Sequence, residues 1–307
     1  MRLATFLAPD ETPAGPTTRQ HTGVVDGDDL VDLNDPVIGL PADMTALLTL
    51  GDEAWERAAT AAATSARRWG LEQVELLAPV TLPPKVLAIG RNYLAHVTEM
   101  GGERPVRQLW FNKQRTAVTG PSADILVPAV SEQVDYEGEL GLVIRRRAKS
   151  VPAARWLDVV AGFTVGNDVS VRDWQAHSPT FTIGKSFDTH CPLGPWIVTP
   201  DEVGDPHTLD MRLFVNGDLR QQSYSGNMSV TIPELIAHHS PLGYSPGDVL
   251  TTGTVSGVAG FKSDAEKWYL RPGDVVECTI DRVGTLRNQV VSWEKAHGSP
   301  PPPFREW

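Results

Sequence analysis

Apolar and polar positions divide this chain of 307 residues into two unlike stretches. The first offers two short strand candidates, RLATFL and HTGVVDGDDLVDL, and then AWERAATAAATSARR, whose strong helix formers predict a helix from about Asp52 to Arg68. LLAPVTLPPK, with Pro79, Pro83 and Pro84, reads as a linker, so residues 1–80 are expected to form a small N-terminal α+β domain and residues 81–307 the domain that carries the chemistry. Past residue 85 the chain becomes a series of short β runs: VLAIG, DILVP, EGELGLVI, VVAGFTVG, LFVNGDLR, DVLTTG, DVVECTI and TLRNQVV. Asn216-Gly217 suits a type I′ hairpin, and the Pro-Gly-Asp-Val segments at 246 and 272 read as turns entering strands. Helices are few and short, so the expected class is α+β, with a strand-rich mixed sheet rolled upon itself rather than a doubly wound parallel one. The tail GSPPPPFREW reads as an extended arm whose end could dock on a neighbouring subunit.

With 41% hydrophobic and 21% charged residues the chain can bury a substantial core, which excludes global disorder. A net charge of -11 repels phosphate backbones, and no run of Lys and Arg overrides it, so nucleic acid is not an expected partner. Cys191 and Cys278 stand in isolated settings that suggest neither a disulfide framework nor a zinc knuckle, which fits a reducing cytoplasm. The opening residues hold too short an apolar run for a signal peptide, and no stretch approaches the roughly 20 apolar residues of a membrane span. A soluble cytoplasmic protein is expected.

Side chains alternate across a strand, so in VDYEGELGLVI the carboxylates Asp135, Glu137 and Glu139 share one face, and Tyr136, Leu140, Leu142 and Ile144 the other. Acids at i and i+2 lie roughly 6 to 7 Å apart at the backbone, close enough for their oxygens to converge on one ion. Burying them without a cation is costly, because each resists ionising beside the other. An isolated pair would suit an edge strand facing water, but a third acid, Asp168, follows the apolar and glycine run of VVAGFTVGN. Ser170 and Asp173 read as the better N-cap and N3 pair for the helix that follows, which leaves Asp168 free to act as a ligand. Three hard carboxylates without cysteine favour Mg²⁺ or Mn²⁺ over zinc.

In GRNYLAHVTEMGG, His96 and Glu99 are neighbours at i and i+3 of a short helix, a pairing suited to a general base that activates water, though such a pair alone is often a surface ion pair. Gly101 and Gly102 could end that helix or hinge a lid. Lys185 lies in FTIGKSFDTHCPLGPW, which has too many glycines, prolines and aromatics for an ordinary strand, and on its own it reads equally as a surface lysine. A phosphate loop fails because its earlier glycine falls at Pro179, a nucleophile elbow at Ser256 fails because Thr254 stands two residues before it, and no dinucleotide fingerprint is present.

Taken in order and spacing, GRNYLAHVTEMG, DYEGEL, GFTVGNDVSVRDWQ, GKSFDTHCPLGPW and TTGT resemble the fumarylacetoacetate hydrolase family over roughly residues 85–292. The resemblance implies a β-roll catalytic domain, a homodimer, and Mg²⁺ or Mn²⁺ held by the acids matching Glu137, Glu139 and Asp168. It casts His96 and Glu99 as the water-activating dyad and Lys185 as the group that protonates or stabilises a departing enolate. Arg172 and Gln175 would hold oxyanion charge, and Thr254 the substrate carboxylate, with Arg91 and Lys113 as further candidates for that task. The implied reaction is hydrolysis of a carbon–carbon bond in a 2,4-dioxo acid of acylpyruvate or fumarylpyruvate type. Oxaloacetate decarboxylation and a hydroxymuconate-type isomerase or decarboxylase are the rivals. A non-catalytic metal-binding dimer is the rival from another class, and the intact acid, base and lysine positions argue against it. Asn112, Val171 and TVSG depart from the common pattern and leave the substrate open, and His177 and His190 read as structural histidines.

Overall fold

Every residue of the strands Gly138–Ile144 and Val160–Asn167 is buried, because both of their faces are covered. In the computed structural model, which describes residues 1–12, 15–64 and 66–300, the two pair antiparallel in the middle of a 12-stranded sheet. From one edge the sheet runs Arg68–Gly70, Asp29–Asp32, Gly15–Asp26, Arg2–Thr12, Cys191–Val198, Val160–Asn167, Gly138–Ile144, Val249–Thr251, Val86–Gly90 and Leu109–Lys113. Val249–Thr251 runs parallel to Val86–Gly90, and the short strand Val118–Thr119 runs parallel to Cys191–Val198. The fold is therefore mixed, strand-rich α+β with few helices, as the apolar pattern predicts.

Period-two alternation decides what each face of the centre touches. Tyr136, Leu140, Leu142, Ile144, Phe163 and Val165 join Leu213, Val276 and Leu286 of a five-stranded second sheet in one core. Val143 and Ala161 point the other way, onto Leu3, Met44, Leu47 and Ala54 from the first part of the chain. That first part extends the same sheet through Arg2↔Val198 and Leu3↔Ile197.

The turns form where expected. Asn216 and Gly217 both take positive φ, 53° and 82°, as a type I′ hairpin requires, and Gly247 and Gly273 turn the chain into the strands Val249–Thr251 and Val275–Ile280. Several local expectations are corrected. The helix from Asp52 ends at Ala59, where the Thr60 and Thr64 hydroxyls donate to the carbonyls of Glu56 and Ala61 and leave only a short 3₁₀ turn, Ala61–Ala63. An earlier helix, Met44–Thr49, is capped by Asp43, which accepts from the Ala46 amide. HTGVVDGDDLVDL is split between two strands by a turn at Gly27. Cys191–Val198 is a strand in spite of its prolines, its pairing with Val160–Asn167 shifting register near Gly194. Val171, not Ser170, precedes the helix Arg172–Ala176; the Ser170 hydroxyl donates to the Asp168 carbonyl, and Asp173 accepts from Ser131. The docking role of the tail falls on residues 301–307, outside the described residues. No helix among the described residues is long and apolar enough to cross a membrane.

Candidate active site

The acids meet where the central ladder ends. Gly138 pairs with Asn167, so Glu137 and Asp168 continue side by side past that pair, tied by the Asp168 amide donating to the Glu137 carbonyl at 2.8 Å. The Asn167 side chain accepts from the Glu137 amide at 2.9 Å and fixes the bend. Glu139 projects from the strand two residues on, with one oxygen accepting from the Gly253 amide. Each of the three acids offers an oxygen within 4.8 Å of the others, at exposures of 5% for Glu137 and 1% for Glu139 and Asp168.

Buried carboxylates this close need positive charge. Lys185 Nζ donates to Glu137 and Asp168 at 2.7 Å each, Lys113 Nζ donates to the other oxygen of Asp168, and Arg172 pairs with Asp135 and Glu137 at 2.7 Å. Four acids, Asp135, Glu137, Glu139 and Asp168, thus meet three cations, and among the described residues Glu139 has no ion-pair partner. Burial would raise Glu137, but Lys185 and Arg172 outweigh it and hold the carboxyl at about 2. Burial first, then the charges of Asp168 and Glu137, push Glu139 up to about 8. The cluster is short of positive charge at the place where three hard oxygen donors converge, and that fits a Mg²⁺- or Mn²⁺-type ion held by Glu137, Glu139 and Asp168.

A cavity of about 50 Å³ opens above the acids, and His96, Arg91, Arg172, Gln175, Lys185 and Thr254 all line it. His96 Nδ1 lies 3.1 Å from Glu99 on the helix Leu94–Glu99, which is capped by Met100 and followed by Gly101 with φ 67°. With Glu99 ionised, Nδ1–H donates to it and Nε2 is left as the free base of the ring. Glu99 is itself held by the Gly257 amide at 2.9 Å; Gly257 has φ 108°, and a Cβ there would lie 2.1 Å from the Arg220 carbonyl oxygen. Gly184 has a comparable role before Lys185, since a Cβ would lie 2.2 Å from the Gln175 amide nitrogen. Phe111, Phe181 and Phe261 complete the walls, with the Phe261 ring against His96 at 5.8 Å.

Of the residues expected at the site, Arg172 Nη1 donates to Gln175, and Thr254 donates to the Gly138 carbonyl while accepting from Gln221. Lys113 is placed differently from the expectation: its ammonium is committed to Asp168 and the Val169 carbonyl, and it is not part of the cavity wall. His190 is structural, donating from Nε2 to the Leu126 carbonyl, and burial pushes it down to about 3; His177 is exposed. Asp135 is the residue that pattern reading undervalued. It joins Arg172 to the loop amides of Ala259 and Gly260, and its place on the carboxylate face was the available signal.

A buried acid triad that could hold a divalent metal thus lies beside a carboxylate-paired imidazole, a lysine and an aromatic enclosure. Residues 85–291 match the family described as fumarylacetoacetate (FAA) hydrolase, C-terminal. The chain is 39% identical over 294 residues to oxaloacetate tautomerase fahd2, mitochondrial, of Xenopus laevis, covering 95% of this chain and 90% of that one. The structure of maleylpyruvate hydrolase from Sphingobium sp. SYK-6 in complex with manganese (II) ion and pyruvate is 34% identical, with TM-score 0.74 and coverage of 95% and 99%. That of 2-hydroxyhepta-2,4-diene-1,7-dioate isomerase from Mycobacterium marinum is 33% identical, with TM-score 0.70 and the same coverage. This chain belongs to the fumarylacetoacetate hydrolase family and is an enzyme.

Proposed function

We propose that this enzyme acts on small 2-oxo acids by way of their enolates, and that its reaction is hydrolysis of a carbon–carbon bond in a 2,4-dioxo acid. The observation that carries this reading is the His96–Glu99 pair at 3.1 Å on the wall of the cavity that Lys185 also lines. A divalent ion held by Glu137, Glu139 and Asp168 would polarise the oxo acid. Thr254, Arg172 and Gln175 supply the polar wall that orients it. His96 Nε2 takes a proton from water while Glu99 stabilises the ring cation. The hydroxide adds to the distant carbonyl carbon, and the bond to the methylene carbon breaks with its electron pair moving into the enolate. Lys185, a donor held charged by Asp168 and Glu137 against its own burial, supplies the proton that turns the enolate into the oxo acid.

Keto–enol interconversion of oxaloacetate is the second reading, favoured by the names of curated relatives at 38% to 40% identity. It needs the same base and donor but no water. Purified protein with Mn²⁺ should release pyruvate from an acylpyruvate; enol oxaloacetate that loses its absorbance without any such release would assign the second reading instead. A Glu137→Gln variant with unchanged turnover and metal affinity would remove the site assignment altogether. The proposal extends to a homodimer in the cytoplasm, the latter supported by two free, buried cysteines whose thiols burial pushes up to about 12.

A further inference from the structure

One position in the second sheet runs against the ordinary sorting of apolar and polar residues. In the strand Asp218–Tyr224, Leu219 is 49% exposed, whereas Gln221 is 1% exposed and is the strand's only buried residue. An amide taken out of water costs free energy unless its donors and its acceptor are all answered. Those of Gln221 are. Oε1 accepts from the Gly138 amide at 2.9 Å, and Nε2 donates to Thr254 Oγ1 at 2.9 Å and to the Val255 carbonyl at 2.8 Å. The reversed amide would set Nε2 against the Gly138 N–H, donor to donor, so the network admits one orientation.

These contacts tie together two sides of the acid-floored cavity. Gly138 stands between Glu137 and Glu139, and its lack of a side chain lets the second sheet come close: a Cβ there would lie 2.8 Å from Cys278 Sγ and 3.3 Å from Leu213 Cδ1. Thr254 lines the cavity and donates its hydroxyl to the Gly138 carbonyl at 3.1 Å. Gln221, Thr254 and Gly138 thus close a ring of three hydrogen bonds. Among the described residues no strand of the second sheet contributes to the cavity wall, and Gln221 bonds to that wall from behind.

A hydroxyl has one proton and two lone pairs. In Thr254 the Gln221 donor takes one lone pair, and the proton goes to a neutral carbonyl toward the long end of the hydrogen-bond range. An oxo-acid carboxylate arriving in the cavity is the stronger acceptor, and the proton can turn to it by rotation about the Cβ–Oγ bond alone. We propose that Gln221 is a positioning residue that acts through Thr254: by donating to the hydroxyl oxygen it holds that oxygen in place and leaves its proton for the substrate carboxylate. The inference rests on the reading of the acid cavity as an oxo-acid site. An acceptor at position 221 would draw the proton backwards, away from the cavity.

The test is a double-mutant cycle on KM for acetylpyruvate at saturating Mn²⁺, with Gln221→Met, Thr254→Val and the two together. Gln221→Met keeps the length of the side chain and removes its donors, so KM should rise roughly tenfold, the strength of a charge-assisted hydrogen bond, with a smaller change in kcat. Thr254→Val should raise KM by as much or more. Adding Gln221→Met to it should change KM by less than about twofold, because the group through which Gln221 acts is gone. A Gln221 that only supports the fold would multiply the two KM effects; that result, or an unchanged KM in Gln221→Met, overturns the proposal. Gln221→Glu serves if the Met variant does not fold: it keeps the acceptor for the Gly138 amide and removes the donors, and an unchanged KM in it is equally decisive against the assignment. If wild type leaves acetylpyruvate intact, the hydrolysis reading falls, and the same cycle is run on the loss of enol oxaloacetate, where the same outcomes decide for or against Gln221. A wild type inert to both overturns the oxo-acid reading and this assignment with it.

Discussion

Replacing Asp135 by Asn tests whether the site is assembled by charge. The carboxylate is fully buried. It takes Arg172 Nε at 2.7 Å and the amides of Ala259 and Gly260 at 2.8 Å each, and Arg172 Nη2 lies 2.7 Å away. Asn is nearly isosteric, so no cavity opens, but an NH₂ group must now face donors that want an acceptor. Breaking one partner of a buried pair costs about 3–5 kcal/mol, and the remaining 2.7 Å pairing of Arg172 with Glu137 puts the expected loss near the bottom of that range. At roughly 2–4 °C per kcal/mol for a chain of this order of size, the melting temperature should fall by at least about 6 °C.

The same substitution should reach the chemistry without touching it. The loop that Asp135 anchors carries Phe261 against His96 and the Gly257 amide on Glu99, so its release loosens the base while the acids keep their places. Turnover should drop more than metal affinity does. The assay is thermal unfolding and steady-state turnover at saturating Mn²⁺, with Asp173→Asn as the control because Asp173 accepts from Ser131 away from the cavity. A melting temperature within about 2 °C of wild type together with full turnover would refute the anchoring role.

Other outcomes follow from the same geometry. Lys185→Met leaves Glu137 and Asp168 facing each other without their shared ammonium, so turnover should fall at least about 100-fold; the metal-free protein should also be destabilised, with Mn²⁺ restoring more melting temperature than it adds to wild type. Glu99→Gln should slow hydrolysis by roughly 10²-fold at unchanged metal affinity, read from initial rates at saturating Mn²⁺. Chelation should abolish turnover, and metal at about 100 times its Kd should stabilise the fold by about 2.7 kcal/mol, read from denaturant midpoints. Burial pushes His190 down to about 3 and His239 to about 4. Both lie below the unfolded value near 6.5, so the stability they contribute is complete above that pH and is lost as pH falls from about 6.5 toward 4 and 3; because Glu139, raised to about 8, acts in the opposite direction over the same range, the check is the change in urea midpoint from pH 7.5 to 5 in wild type against His239→Gln, where wild type should lose more on acidification and identical changes would refute the assignment.

Much of the fold was legible in strand periodicity because burial on both faces leaves few alternatives. The runs EGELGLVI and VVAGFTVG form the central pair, and Asn216-Gly217 and the two Pro-Gly turns take the backbone angles their residues favour. What periodicity concealed was set by partners distant in sequence. Cys191–Val198 is a strand because Val160–Asn167 and Arg2–Thr12 flank it, which outweighs its prolines. The alanine-rich stretch after Ala59 leaves the helix because local threonine hydroxyls and the pairing of Arg68–Gly70 with Asp29–Val31 compete for its backbone.

The acid triad could be read from the chain because two of its members sit at i and i+2 of one strand. Its counter-charges could not. Lys113, Arg172 and Lys185 come from three separate segments, and their effect depends on a count that only the folded arrangement makes: three cations set among four buried acids. A balanced cluster would be a structural ion-pair network with no use for metal. Glu139, left without an ion-pair partner among the described residues and pushed up to about 8 by burial and its acidic neighbours, is the acid whose charge a cation would answer, beside two further carboxylate oxygens within 4.8 Å. Lys185 and Arg172 hold Glu137 ionised, and with Lys113 they keep the acids close together before any ion arrives, so an arriving ion meets donors already gathered around one point.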